Sequence, residues 1–195
     1  KSIFKSLISY SIPVMLFWTI SDIFYWIDSF LIGFYKTPVD IGIYNAAIPI
    51  AALLTLAPEL FIQLFFPIIT KEYARKNIDL IKKLSKQIGK WIFIINLPAF
   101  FLMIFFPGVI INLFFGSDYL DGIVALRFLL IGNLFFSSFI ISNKLLEMGG
   151  KSKILLTDLL IAGILNIVLN IILVPTPSIF GIENPTGING AAIAT

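Results

Sequence analysis

The chain has 195 residues, of which 58% are hydrophobic and only 13% are charged, and its mean hydropathy is +0.99. A soluble domain has about 25% charged residues, so this chain has too little polar surface to coat a water-soluble globule. It contains no cysteine and no histidine, which excludes disulfides, thiolate nucleophiles and the commonest zinc ligands, and its net charge of +3 is small. The sequence therefore predicts an integral membrane protein without a transition-metal site.

Five apolar runs follow one another along the chain, and each is long enough to cross a bilayer as an α-helix. About 20 residues suffice, because a helix rises roughly 1.5 Å per residue and the hydrocarbon layer is about 30 Å thick. A sixth apolar segment begins near the end, so we expect a fragment that forms a single membrane lobe, an all-α polytopic helix bundle. The predicted spans are residues 7–34, 41–70, 91–115, 123–143 and 154–174, and the sixth segment is 188–195.

The basic residues fall almost entirely on one side of these spans. Cytoplasmic segments of membrane proteins carry the excess of Lys and Arg, so we expect a multi-pass protein of the cytoplasmic membrane whose first residue lies in the cytoplasm. Only Lys36 and Arg127, of the 14 basic residues, fall on the outer side. The inner side holds Lys1, Lys5, Lys71, Arg75, Lys76, Lys82, Lys83, Lys86, Lys90, Lys144, Lys151 and Lys153.

The longest basic link has helical periodicity over residues 77–89. Asn77 can cap a helix, apolar residues recur every three or four positions, and lysines fill the other face. This pattern predicts an amphipathic helix in the inner interface that is attracted to anionic lipids. The alternative is a solvated loop whose charges only set the topology. A nucleic-acid partner is disfavoured, because the stretch is poor in aromatic residues.

Polar side chains in the outer half of the spans form a candidate cation site. Charged groups are costly in hydrocarbon and usually face a cavity or one another. At about 1.5 Å per residue, the chosen residues lie roughly 6–12 Å below the outer ends of their helices. Their carboxylate, amide and hydroxyl oxygens suit a small cation. Alternatively, the two asparagines only hold helices together, and the aspartate is protonated or bonded to Tyr or Ser neighbours. The candidate residues are Asp28, Asn166, Asn170 and Thr195.

Three further charged residues are candidates to line a cavity. Asp22 lies deeper in the first span, Glu59 follows a proline in the second, and Arg127 can snorkel outward from the fourth. Pro49 and Pro58 each free a backbone carbonyl and permit a bend, and bent helices with isolated charges are typical of transporters. Irregular packing alone is the alternative. The chain has no phosphate-binding loop or nucleophile elbow, which disfavours an enzyme.

A series of short runs resembles one known family in order and spacing. The runs are SIP at 11–13, ID at 27–28, VDIGIYNAA at 39–47, FFPI at 65–68, LFFGSDY at 113–119, GGKSK at 149–153, NIVLN at 166–170 and GINGAAIAT at 187–195. Together they cover almost the whole chain. They resemble the C-terminal half of a polysaccharide biosynthesis flippase of the Wzx type, in the MOP superfamily.

The resemblance implies one lobe of a two-lobe, MOP-type transporter, in which six helices pair with a homologous N-terminal lobe around a central cavity. Family members rock the two lobes in alternating access. This motion carries a lipid-diphosphate-linked oligosaccharide from the inner to the outer leaflet for glycan biosynthesis. The implied partners are that oligosaccharide, the membrane lipids and the N-terminal lobe. The resemblance implies no cofactor beyond the Na⁺ or H⁺ that drives some relatives.

In the ion-driven branch, the resemblance places an ion site on the first, fifth and sixth helices of this lobe. The second acid expected near Asn170 is an amide in this sequence. The arginines expected to hold the diphosphate are missing from these spans, apart from the shallow Arg127. By position, the site residues correspond to Asp28, Asn166, Asn170 and Thr195.

Two other functions compete with the flippase. A MATE-like, cation-coupled multidrug or toxin extruder would share the fold. The isolated acids Asp22 and Glu59 slightly favour this function. A membrane-embedded glycosyltransferase or polymerase would need acidic metal-binding loops and a large outer domain. The predicted outer links, residues 35–40, 116–122 and 175–189, are too short for either feature.

Overall fold

Helices dominate the computed structural model, which describes residues 2–179, 181–184 and 186–195. Lys1, which the charge pattern assigns to the cytoplasm, lies outside the described residues, as do Phe180 and Pro185 of the last outer link. A short antiparallel hairpin, β1 (Ser178–Ile179) with β2 (Ile182–Glu183), occupies that link. The helices are α1 (Ser2–Tyr35), α2 (Pro38–Ala52), α3 (Leu56–Ala74), α4 (Ile78–Phe105), α5 (Pro107–Phe114), α6 (Ile123–Met148), α7 (Ser152–Leu173) and α8 (Ile188–Ala194).

Within the described chain, 5 helical stretches are long and apolar enough to cross a membrane. Their number equals that of the apolar runs, and their length and composition confirm an all-α, polytopic membrane protein. The stretches are Val14–Tyr35, Pro38–Ala74, Ile78–Phe105, Ser117–Met148 and Ser152–Leu173.

The third stretch differs from the sequence prediction in how it is divided. The periodicity separates an amphipathic helix at 77–89 from a span at 91–115, whereas α4 runs without a break from Ile78 to Phe105. Asn77 caps this helix as predicted, by accepting a hydrogen bond from the backbone N–H of Leu80 at 3.3 Å. The break comes later, at Pro107, which opens α5 because proline fits the first turn of a helix. An interfacial position for the first turns of α4 stays a prediction.

The chain divides into two compact units, Lys1–Asn45 with Leu145–Thr195, and Ala46–Lys144. In the first unit, α1 packs along α7, and α8 folds back against both helices. Two glycines permit this packing. Gly163 on α7 leaves the space that the ring of Phe24 fills, and a Cβ at Gly190 on α8 would overlap the backbone carbonyl of Leu173. Small residues allow such close backbone approach in membrane bundles.

In the second unit, α3 packs against α4, and a buried amide compensates for a proline. Pro58 has no N–H, so the carbonyl of Leu54 lacks the donor that an α-helix would normally give it four residues later. A 3-10 turn, Leu53–Thr55, interrupts the helix here. The side-chain amide of the buried Asn96 on α4 donates to the Leu54 carbonyl oxygen at 2.8 Å. The carbonyl that Pro58 leaves free therefore has a donor.

We expect Asn96→Leu to lower the free energy of unfolding by about 1–3 kcal/mol, because it leaves the Leu54 carbonyl buried without a donor. Asn133→Leu is the matched control. Its amide donates to the carbonyl of Leu129 in its own helix, where the backbone N–H of Asn133 already serves that oxygen. Equilibrium unfolding of the full-length protein in mixed micelles would measure both variants. Equal losses would contradict this role for Asn96.

Candidate functional site

A single buried carboxylate joins four helices of the first unit. Asp28 on α1 is 6% exposed, and its two oxygens accept four hydrogen bonds. Its Oδ1 accepts from the side-chain amides of Asn166 at 3.1 Å and Asn170 at 2.7 Å, both on α7. Its Oδ2 accepts from the hydroxyl of Thr195, directly after α8, at 2.6 Å and from Tyr44 on α2 at 3.0 Å. The structure thus brings all four predicted site residues together and adds Tyr44. The Asp28 cluster consists of Asp28, Tyr44, Asn166, Asn170 and Thr195.

The two asparagines reach Asp28 because they lie one helical turn apart on α7, so their side chains share the face that packs on α1. The amide of Asn170 also donates to the backbone carbonyl of Asn166 at 3.0 Å, which fixes its orientation. Asn170 is fully buried at 0% exposure.

Thr195 reaches the carboxylate because a buried asparagine folds α8 back onto α7. The side-chain amide of Asn184 donates to the carbonyls of Leu173 and Thr176, at 2.8 Å and 2.9 Å, beyond the last turn of α7. Its Oδ1 accepts from the backbone N–H of Gly190 at 3.2 Å. One side chain therefore serves the end of one helix and the start of the next, and Thr195 follows at the end of α8.

Tyr44 and Asn184 are the residues that sequence reasoning missed. Tyr44 is 1% exposed, and its hydroxyl lies 3.1 Å from that of Thr195 as well as bonding Asp28. A second bond between the same two helices joins the hydroxyl of Ser29 to Asn45 at 2.7 Å. The available signal in the sequence was a tyrosine near the outer end of the second predicted span. Asn184 lies in a link, where depth cannot be estimated from the rise per residue of a helix.

Two oxygens at this site have no partner within the described structure. The Oδ1 atoms of Asn166 and Asn170 are both buried and accept no hydrogen bond. A buried acceptor without a donor is costly, so these atoms are suited to a ligand that attracts oxygen. The described residues contain no group of three or more His, Cys, Asp or Glu side chains that could hold a metal ion. With one carboxylate and two free amide oxygens, the residues fit a small monovalent cation or a proton.

The three candidate cavity residues lie apart from this cluster. Asp22 is exposed on α1, on a different face of the helix from Asp28. Glu59 and Arg127 belong to the second unit, where both are exposed on α3 and α6. None of the three pairs with any residue that the structure describes. Their exposure is compatible with lining a cavity, and that role stays a prediction.

Tyr44→Phe should lower the free energy of unfolding by about 1.5–3 kcal/mol, the range for hydrogen bonds to charged groups, because it removes one of the four donors to Asp28. Tyr25→Phe is the matched control, since Tyr25 lies exposed on α1, where its ring contacts Trp26. The control should change stability by less than about 0.5 kcal/mol. Unfolding curves of the two purified variants in micelles give the comparison. An unchanged free energy of unfolding in Tyr44→Phe would show that the hydroxyl does not hold Asp28.

Comparison with known proteins places the chain in a family. A profile described as polysaccharide biosynthesis protein matches residues 1–124. Two uncharacterized membrane proteins of Methanocaldococcus jannaschii are 26% and 29% identical to the whole chain, which covers 37% and 44% of their lengths. A probable low-salt glycan biosynthesis flippase of Haloferax volcanii is 25% identical over 91% of the chain and 36% of its own length.

The chain spans about two fifths of the length of these relatives. No solved structure matches it. The family profile covers well over half of the chain, and the described helices are those of a multi-pass membrane protein. The resemblance read from the sequence is therefore confirmed, and the chain belongs to the polysaccharide biosynthesis protein family.

Proposed function

We propose that this chain is one lobe of a flippase that moves a lipid-linked oligosaccharide across the cytoplasmic membrane by alternating access. The observation that carries the proposal is the family match, supported by similarity to a probable glycan biosynthesis flippase. The share of each relative that the chain covers leaves room for a homologous N-terminal lobe. In this proposal the protein is a transporter and performs no chemistry on its substrate.

The Asp28 cluster would couple transport to an ion gradient. Asp28, Asn166, Asn170 and Thr195 would hold a Na⁺ ion or a proton, and Tyr44 would position the carboxylate. The ion supplies one positive charge to a buried carboxylate. Because the ligands come from α1, α2, α7 and the end of α8, the presence of the ion would favour one packing of these helices over another. A gradient can drive a transporter only through such a difference in binding between two states.

The hydroxyl groups around Asp28 have fewer hydrogens than their oxygens have close contacts with other oxygens. Tyr44 and Thr195 carry one hydroxyl hydrogen each. Their oxygens make four close contacts, with Asp28, with each other and with the backbone carbonyl of Ala191 at 3.0 Å. When Asp28 is ionised, two of these contacts bring oxygens together without a hydrogen between them. A proton on Asp28 or a cation beside it would relieve that repulsion, which supports an ion at this place.

The lobe contributes little to holding a diphosphate. Arg127 is the one arginine in its predicted spans, and it is exposed near the outer end of the fourth. We therefore assign the main contacts with the diphosphate to the N-terminal lobe.

Asp28→Asn in the full-length protein should abolish surface glycan in cells lacking their own flippase. The amide has no negative charge, so it neither takes up a proton nor attracts a cation. Asp158→Asn is the matched control, since Asp158 lies exposed near the inner end of α7, and it should transport normally. Surface glycan is scored with a matched lipid-linked substrate, and membrane expression of each variant is confirmed. Normal transport with unchanged ion dependence in Asp28→Asn would rule out coupling at this site. Failure of the parent protein to restore glycan would instead reject the flippase.

The proposed orientation can be tested because this chain contains no cysteine. Ser117 lies in a predicted outer link and Asp79 in the basic inner link, and both are exposed. With cysteines elsewhere in the protein replaced, Ser117→Cys should react with an impermeant maleimide in intact cells. Asp79→Cys should react only after permeabilisation. The reverse labelling pattern would show that the orientation in the membrane is opposite to the proposed one.

A further inference from the structure

An exposed groove runs along α1 on a face that the Asp28 cluster does not use. Its volume is ≈ 640 Å³, within the range of about 300–1,000 Å³ typical of small-ligand sites. The groove is open, and its lining residues recur three or four positions apart, so they share one helical face. They are Thr19, Asp22, Ile23, Trp26, Ile27 and Phe30.

Asp22 makes this face unsuitable for lipid chains. Its carboxylate is exposed and pairs with no residue in the described part of the chain, although it lies within the stretch Val14–Tyr35 that can cross a membrane. An unpaired charge facing hydrocarbon is costly, and such groups face a bundle interior or a water-filled cavity.

The exposed face of α7 provides the contrast. Five of its outward side chains are apolar, as expected for a surface against lipid: Ile161, Ile164, Leu165, Val168 and Ile172.

The side chains of the groove match the chemistry of a sugar ring. Trp26 is 60% exposed and makes an edge-to-face contact with Tyr25, with ring centroids 5.2 Å apart. An aromatic face packs against the apolar C–H face of a pyranose, while an ionised carboxylate accepts hydrogen bonds from sugar hydroxyls. The hydroxyl of Thr19 adds a group that can donate or accept.

From this arrangement we propose that the α1 groove binds a sugar ring of the transported oligosaccharide, with Trp26 as the stacking platform and Asp22 as the hydroxyl acceptor. The proposal rests on the proposed flippase function. Asp22 and Asp28 are six residues apart, which places them about 120° apart around the helix at 100° per residue. The same helix would thus carry the sugar contact on one face and the ion-coupling carboxylate on another.

Cysteine accessibility tests the groove directly. Ile23 in the groove and Ile164 on the apolar face of α7 are both 58% exposed, so they form a matched pair. Each is replaced by cysteine in the full-length protein in nanodiscs, with cysteines elsewhere replaced by serine. We expect Ile23→Cys to react with an impermeant maleimide at least tenfold faster than Ile164→Cys. Equal rates would show that the groove faces lipid or protein, and would overturn the proposal.

Protection from labelling identifies the occupant. The first probe is the free oligosaccharide released by mild acid from the cell's lipid-diphosphate-linked pool, and the second is tetraphenylphosphonium. Protection of Ile23→Cys by the oligosaccharide alone supports the proposal. Protection by the cation alone, or by neither probe, overturns it. Adding Trp26→Ala should weaken the protection at least fivefold, whereas Trp26→Phe, which keeps an aromatic face, should retain most of it.

These readouts do not depend on transport. Oligosaccharide protection in a protein that restores no surface glycan would reject the flippase and leave the sugar site standing. If the protein transports but Ile23→Cys is not labelled, the sugar site is rejected and the flippase function stands.

Discussion

The buried carboxylate of Asp28 is the constraint on which the first unit depends. A charged group within a membrane span has no water to solvate it, so protein donors must take the place of water. Four donors do so, two amides from α7, one hydroxyl from α2 and one from the residue that follows α8. Together these four donors tie α7, α2 and the end of α8 to α1. The packing of α8 onto α7, the close approach at Gly190 and the bonds of Asn184 all serve to bring Thr195 within reach.

The same rule explains polar residues that have no candidate role in transport. Prolines free backbone carbonyls within apolar helices, and each freed carbonyl needs a donor. Asn96 supplies one to Leu54 across the α3–α4 contact. Carbonyls at a helix end lack helical donors for another reason, and Asn184 donates to that of Leu173, at the end of α7, and to that of Thr176 in the following link. Asparagine suits these places because its uncharged amide donates and accepts at once. An asparagine in this chain is therefore informative only after its hydrogen-bond partner is known, since Asn96 and Asn170 look alike in sequence.

Depth along a helix could be predicted from the sequence, and it led to Asp28, Asn166, Asn170 and Thr195. The 1.5 Å rise places residues at a common level without knowledge of which helices touch. Rotation about the helix axis and contact between helices could not be predicted in this way. Tyr44 was missed for that reason, because its role depends on α2 packing beside α1. The periodicity did not indicate that α4 continues through Gly89 without a break, and the new helix starts at Pro107.

A single acid at the proposed ion site limits what the proposed coupling can involve. Where the resemblance leads one to expect a second carboxylate, Asn170 contributes a neutral amide whose oxygen lacks a donor. One proton or one monovalent cation then neutralises the site, whereas a divalent ion would leave a net positive charge in a region where charge is costly. The amide keeps oxygen available without adding charge, so the proposed site would be filled and emptied without burying more than one unit of charge. In the proposed cycle, each turnover would therefore move a single positive charge through the Asp28 cluster.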